Sequence, residues 1–106
     1  MLELSGTPVV QRYHPRVEAT FMVKLRVNGR NLIAKAKDLS MAGLSLLGVP
    51  AITDQLTVCL PLPGDREITT RATVKRRSPG MIGLEFEQLD WDDMFALARY
   101  LNPRLP

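Results

Sequence analysis

Apolar and polar side chains alternate along most of this chain, in short runs separated by turn residues. The first run covers residues 19–27, where one face carries Phe21, Val23, Leu25 and Val27. A repeat of two residues is typical of a strand with one buried face. Asn28-Gly29 follows directly, and this dipeptide favours a tight hairpin turn. We therefore predict a hairpin whose second strand covers about residues 31–37.

Four more strands are predicted beyond this hairpin. The third covers residues 44–47 and is interrupted by Gly48 and Pro50. The fourth alternates over 56–60 and ends at Pro61, the fifth covers 68–75, and the sixth covers 81–86. Six short strands separated by turns predict an all-β domain, either a small barrel or a sandwich of antiparallel sheet. Closing the sheet into a barrel would remove its exposed edges.

The end of the chain changes its repeat from two residues to three and four. The spacing is set by Trp91, Met94, Phe95, Ala98 and Leu101. This spacing predicts an amphipathic helix with Asp90 as its N-cap and with its end at Asn102-Pro103. Each large apolar side chain that becomes buried contributes about 1.5–3 kcal/mol. We therefore expect the helix to dock on a barrel opening, with Trp91 on its packing face.

Length and composition indicate one globular domain of 106 residues, with 45% hydrophobic and 24% charged residues. The net charge of +3 comes mainly from arginine, which favours planar contacts with phosphate or guanine. This excess is small, so it fits a compact anionic ligand as well as a polynucleotide.

A single cysteine, Cys59, excludes an internal disulfide and a zinc-finger cluster, and its strand position predicts a half-packed, unreactive thiol. The apolar runs are short and the first residues lack the pattern of a secretory signal. We expect a cytoplasmic location without membrane insertion.

Two clusters carry the candidate chemistry, and the first is Arg12-Tyr13-His14-Pro15-Arg16. Pro15 disfavours a helical backbone at His14, so the two arginines lie on extended chain and can straddle a ligand. Guanidinium binds phosphate, or the O6 and N7 edge of guanine, with two parallel hydrogen bonds. Taken alone, two arginines at this spacing are common as solvated charges.

The second cluster is the segment of residues 38–43, in which Asp38, Ser40 and Gly43 fit an Asp-x-Ser-x-x-Gly pattern. An ionised carboxylate accepts from the N1–H and N2–H edge of guanine, and a hydroxyl both donates and accepts. The same residues would also make a good hairpin turn without any ligand, with Gly43 at a positive φ.

Together the two clusters resemble the PilZ domain family, bacterial receptors for the second messenger cyclic di-GMP. In that family an Arg-x-x-x-Arg motif precedes the first barrel strand, and Asp/Asn-x-Ser-x-x-Gly lies between the second and third strands. The order here is the same. The resemblance continues through the strand segments at residues 43–46 and 81–86 to the final helix, over about residues 11–101. It implies a six-stranded antiparallel β-barrel of the split-barrel type with one C-terminal α-helix.

The resemblance also implies roles for single residues. Arg12 and Arg16 would hold guanine and phosphate groups. Asp38 and Ser40 would bind a guanine edge, and Gly43 would shape the turn beneath it.

One position departs from the pattern, because Gln11 stands where many members have a further arginine. We expect Gln11 to make a weaker contact, and the number of bound cyclic di-GMP molecules stays open.

The function that follows is a receptor for cyclic di-GMP with no catalytic residue, metal or cofactor. Residues 1–11 are expected to form a flexible arm and residues 12–106 a single domain. The arm would order over the ligand and change the surface that a downstream protein partner recognises. Neither DNA nor RNA is expected as a partner.

Three other classes of function make different demands on the sequence. A ligand-independent adaptor would keep the barrel and dock a partner protein through its basic strand faces. A barrel that binds single-stranded nucleic acid would need more exposed aromatic residues for base stacking. An enzyme would need an activated nucleophile, a metal cluster or paired catalytic carboxylates, and the sequence shows none at a credible site.

Overall fold

The computed structural model describes residues 15–49 and 54–105 and shows seven strands followed by a helix. In chain order the strands are β1 (Val17–Glu18), β2 (Met22–Val27), β3 (Arg30–Leu39), β4 (Gly43–Leu47), β5 (Gln55–Leu62), β6 (Arg66–Ser78) and β7 (Met81–Phe86). Helix α1 covers Trp91–Leu101, and a 3₁₀ turn follows over Asn102–Arg104.

Six of these strands close into an antiparallel barrel. Hydrogen-bonded neighbours follow the order β3-β2-β5-β6-β7-β4, and β4 pairs again with β3 to complete the ring. The two-residue β1 pairs with the end of β3 outside the ring. The predicted barrel with a C-terminal helix is confirmed, and the six predicted strands correspond to β2–β7.

The turn between β2 and β3 also forms as the sequence predicts. Asn28 and Gly29 have φ angles of 50° and 78°, the left-handed backbone that this type of hairpin needs. Strand β5 runs two residues further than expected, through Pro61. Pro61 is tolerated because it lies beyond the residues of β5 that pair with β2, where the strand has only one neighbour.

The barrel interior is filled by the inward-facing side chains of all six strands and by one side of α1. Alternate residues of β2 and β5 are fully buried, and Leu97 and Leu101 of the helix join the same core. Asp90 caps the helix as predicted, since its side chain accepts a hydrogen bond of 2.8 Å from the Asp93 backbone N–H.

The predicted packing face of the helix is wrong at two positions. Trp91 is 72% exposed and Phe95 is 58% exposed, whereas Leu97 is completely buried. The two exposed rings lie 6.1 Å apart on the solvent side of the helix. Leu97 and Leu101 are four residues apart and therefore lie on the same side of the helix, the side that packs on the barrel. Trp91 and Phe95 are also four residues apart but lie on an adjacent side, which faces solvent.

Two strands carry β-bulges, which matter for the outer surface. The pairing of β3 with β4 shifts between Ala36 and Asp38, so Lys37 is an extra residue. The pairing of β6 with β7 shifts in the same way between Val74 and Arg76. Because side chains alternate between the two faces, one extra residue reverses which later residues point inward.

Helix α1 has 11 residues, and no helix among the described residues is long and apolar enough to cross a membrane.

We expect Leu97→Ala to lower the free energy of unfolding by about 2–5 kcal/mol, because it leaves a cavity between helix and barrel. Phe95→Ala on the same helix is the matched control, and its ring is mostly in water. Chemical denaturation of the wild type and of both variants measures the loss in free energy of unfolding for each. Equal losses for the two variants would contradict the observed orientation of the helix.

Candidate ligand-binding site

The two sequence clusters meet on the outer face of the barrel through an ion pair. Arg16 Nη1 donates to Asp38 Oδ1 at 2.7 Å, across 22 residues of sequence. The same nitrogen lies 3.4 Å from Ser45 Oγ. The side chain of Asp38 is 19% exposed and that of Arg16 is 38% exposed, so both groups remain open to water. Arg16 and Asp38, predicted from separate motifs, are therefore brought together.

Strand β1 is what holds Arg16 in this place. Val17 and Glu18 pair with Leu39 and Asp38 at the end of β3. Val17 is buried, so the apolar residue next to Arg16 anchors the chain against the barrel. The position of Arg16 is therefore fixed by the neighbouring residue, Val17, which is buried and paired with β3.

The bulge at Lys37 is what turns Asp38 outward. Ala34 and Ala36 are buried, and strict alternation would place residue 38 inside with them. After the extra residue Leu39 takes the inward position, and it is completely buried. Asp38 consequently lies on the outer face, where its carboxylate stays partly exposed and pairs with Arg16.

Ser40 does a different job from Asp38 in this structure. It is 2% exposed, and its Oγ accepts from the Ala42 backbone N–H at 3.1 Å. Its own backbone N–H donates to the Gly43 carbonyl at 2.9 Å. The hydroxyl therefore closes the turn between β3 and β4, and a contact with a ligand stays a prediction.

Gly43 is required by a close approach to the neighbouring strand. Its φ is not positive, so Gly43 does not adopt the left-handed backbone that the alternative of a ligand-free hairpin turn allowed. A Cβ atom at this position would overlap the backbone carbonyl of Leu84 in β7. The absence of a side chain lets β4 and β7 pair tightly beneath the turn.

Ser45 was missed by the sequence interpretation. It stands between Leu44 and Leu46 in β4 and faces outward, yet it is only 1% exposed because Arg16 lies over it. The available signal was a single polar residue at an outward position in an otherwise leucine-rich strand.

The remaining two predicted residues, Gln11 and Arg12, lie outside the described residues, and so do residues 1–11 of the expected arm.

Burial raises the pKa of the Cys59 thiol, which leaves less reactive thiolate at neutral pH, in keeping with a half-packed side chain. No group of three or more potential metal ligands is found among residues 15–49 and 54–105.

Two surface clefts lie away from the Arg16–Asp38 pair. One of about 480 Å³ runs beside α1, and another of about 390 Å³ lies on the outside of β2, β3 and β5. The face that carries Arg16, Asp38 and Ser45 lines neither of them. Its chemistry is that of an open surface with a carboxylate, a hydroxyl and a guanidinium in contact.

Comparison with known families gives a match to the PilZ domain over residues 11–102. A comparison with curated proteins gave no match.

Solved structures share the fold at low sequence identity. The Bacillus subtilis inhibitor of motility MotI/DgrA superposes with a TM-score of 0.77 at 21% identity, covering 89% of this chain and 51% of that one. The PilZ domain with c-di-GMP of YcgR from Escherichia coli gives 0.71 at 13% identity, covering 89% and 91%. Borreliella burgdorferi PlzA in complex with c-di-GMP gives 0.68 at 19% identity, covering 89% and 42%. This chain thus spans about half the length of MotI/DgrA and less than half of PlzA.

We expect Gly43→Ala to destabilise the protein by about 3 kcal/mol, since the added methyl forces β4 away from β7. Gly83→Ala on β7 is the matched control, because the atoms nearest to its Cβ would belong to the Arg76 side chain, at 3.5 Å, an ordinary van der Waals contact. We expect that control to change stability by less than about 1 kcal/mol. Thermal unfolding followed by circular dichroism separates the two, and a tolerant Gly43→Ala would argue against the packing described here.

Proposed function

This chain belongs to the PilZ domain family, and from that premise we propose that it is a receptor for cyclic di-GMP that catalyses no reaction. The observation that carries the proposal is the contact of Arg16 with Asp38 and Ser45, which joins the two family motifs on one outward face. Structural relatives from Escherichia coli and Borreliella burgdorferi are described with c-di-GMP bound.

The chemistry of the site suits a guanine dinucleotide. The Asp38 carboxylate accepts from the N1–H and N2–H edge of guanine, while Arg16 and Arg12 donate to phosphate oxygens or to the O6 and N7 edge. Gln11 adds a donor without charge. Ser40 acts by holding the turn and Gly43 by letting the strands approach beneath it, which fixes Asp38 in position.

Ligand binding would exchange one set of partners for another. Arg16 and Asp38 satisfy each other in the structure, and partly exposed ion pairs of this kind contribute about 0–1 kcal/mol. A micromolar dissociation constant corresponds to about 8 kcal/mol. The cost of separating the pair is therefore small beside the free energy that the ligand contacts supply.

We further propose that the segment bearing Arg12 closes over the bound ligand. Arg16 is anchored by β1 next to Asp38, and Arg12 precedes it by four residues in the sequence, a reach of at most about 13 Å along extended chain. Closure would alter the surface next to β1, and a downstream protein would recognise the altered surface. We place this activity in the cytoplasm.

A ligand-independent adaptor is the second candidate. The observation in its favour is the exposed pair Trp91 and Phe95, an apolar surface on α1 distant in sequence from both motifs. Calorimetric titration separates the two candidates, because an adaptor of this kind would give no heat with cyclic di-GMP.

We expect Arg12→Ala and Arg16→Ala each to weaken cyclic di-GMP binding by about 1–3 kcal/mol, through loss of two parallel hydrogen bonds. Asp38→Ala should weaken it by a similar amount, since it removes the acceptor for the guanine edge. Isothermal titration calorimetry measures all three affinities.

Arg30→Ala is the charge-matched control for these variants. Arg30 is exposed at the start of β3, eight residues before Asp38 and roughly 26 Å away along the strand. Its loss should leave affinity unchanged. Absence of heat with the wild-type protein would refute the receptor function itself.

We expect bound cyclic di-GMP to slow trypsin cleavage after Arg12 and Arg16, since closure shields the backbone on both sides of the ligand. Mass spectrometry of timed digests gives the two rates, with cleavage after Arg30 as the internal reference. Unchanged rates at Arg12 and Arg16 under saturating ligand would show that this segment does not close.

A further inference from the structure

The second β-bulge repeats what the first one does, on the opposite side of the site. Along β6 the buried positions are Ile68, Thr70 and Ala72, so alternation would carry Arg76 towards the interior. The extra residue Lys75 reverses the alternation, and Arg76 pairs with Gly83 on the outer face and is exposed. One bulge turns a carboxylate outward and the other turns a guanidinium outward.

The two outward-turned residues lie on one row across the sheet. Asp38 of β3 pairs with Ser45 of β4, Ser45 pairs with Gly83 of β7, and Gly83 pairs with Arg76 of β6. Three strand spacings separate the ends of the row, roughly 14 Å. A carboxylate and a guanidinium thus face each other across a serine and a glycine.

Gly83 leaves an opening in the middle of this row, and Arg76 reaches over it. A Cβ built on Gly83 would lie 3.5 Å from Arg76 Nε and 3.9 Å from Nη2. The guanidinium therefore lies close to Gly83, the residue of the row that pairs with Ser45. It rests above a backbone that has no side chain to block a ligand.

Arg76 differs from its two basic neighbours in its partners. Lys75 pairs with Glu85 at 3.6 Å, and Arg77 pairs with Asp54 at 2.8 Å. Within the described part of the chain, the side chain of Arg76 has neither an ion pair nor a hydrogen bond. Its donors are available to an added acceptor.

The row is polarised, and this polarity suggests how a ligand lies on it. At one end two carboxylates, Glu18 and Asp38, lie beside the single guanidinium of Arg16, while the other end carries the unpaired Arg76. A neutral guanine edge that donates N–H groups fits the two carboxylates, whereas an anionic phosphate gains most from the Arg76 guanidinium, which no carboxylate already neutralises.

We propose that Arg76 is a further ligand-contacting residue, which binds a phosphate of the nucleotide from the β6 side of the site. The inference rests on the proposed function and adds a contact that lies outside both sequence motifs. The bulge also bends β6, but bending alone requires no arginine at position 76.

The test is calorimetric titration of the full chain with cyclic di-GMP, comparing wild type with Arg76→Ala, Arg76→Lys and Lys75→Ala. Arg76→Ala should weaken binding by about tenfold or more, the usual loss for a hydrogen-bonded charge pair. Arg76→Lys keeps the charge without the planar pair of donors and should fall in between. Lys75→Ala removes the same charge next to the site and should change affinity less than about twofold.

Salt dependence provides a second measurement. If Arg76 binds a phosphate, the wild-type affinity should fall more steeply with added NaCl than that of Arg76→Ala. Circular dichroism melts confirm that the exposed substitutions leave the fold intact.

The outcomes separate this inference from the proposed function. Wild-type binding with an unchanged affinity for Arg76→Ala would overturn the role of Arg76 and leave the receptor function standing. Equal losses for Arg76→Ala and Lys75→Ala would also overturn it, because only net charge would then matter. Absence of binding by the wild type would overturn both.

Discussion

In a closed barrel of this size, every second side chain points into a space that only apolar groups can fill without a large desolvation cost. Asp38 and Arg76 both fall on the inward phase of their strands, and one extra residue before each places it outside. The two bulges thus reconcile a leucine-rich interior with a charged outer row. Closure of the sheet depends on the leucine-rich interior, and the candidate site depends on the charged outer row.

The outer face is organised before any ligand arrives. Arg16 lies against Asp38 and covers Ser45, held there by the pairing of β1 with the end of β3. Such a pair is only weakly stabilising in water, so its members can take other partners at little cost. The structure therefore combines a rigid support, made of strands, with charged groups that are free to exchange contacts.

Support and contact are divided between the residues of the second motif. Ser40 and Gly43 are buried in the turn and its strand pairing, where they fix geometry. Asp38 is the member of the motif that reaches the surface next to Arg16. One short segment can therefore affect folding and binding separately, and substitutions within it should be measured for both.

The sequence alone determined the six barrel strands, the Asn28-Gly29 hairpin and the capped helix, because alternation, turn chemistry and capping act over neighbouring residues. The expectation that Arg16 and Asp38 share one site came from the resemblance to a family, since 22 residues separate them. Tertiary structure decided the rest. Whether Trp91 or Leu97 faces the barrel depends on which helix stripe meets the opening, and the bulges depend on how each strand registers with its partner. Ser45, Gly83 and Arg76 join one row only because sheet closure brings distant strands together, a long-range pairing that no local pattern encodes.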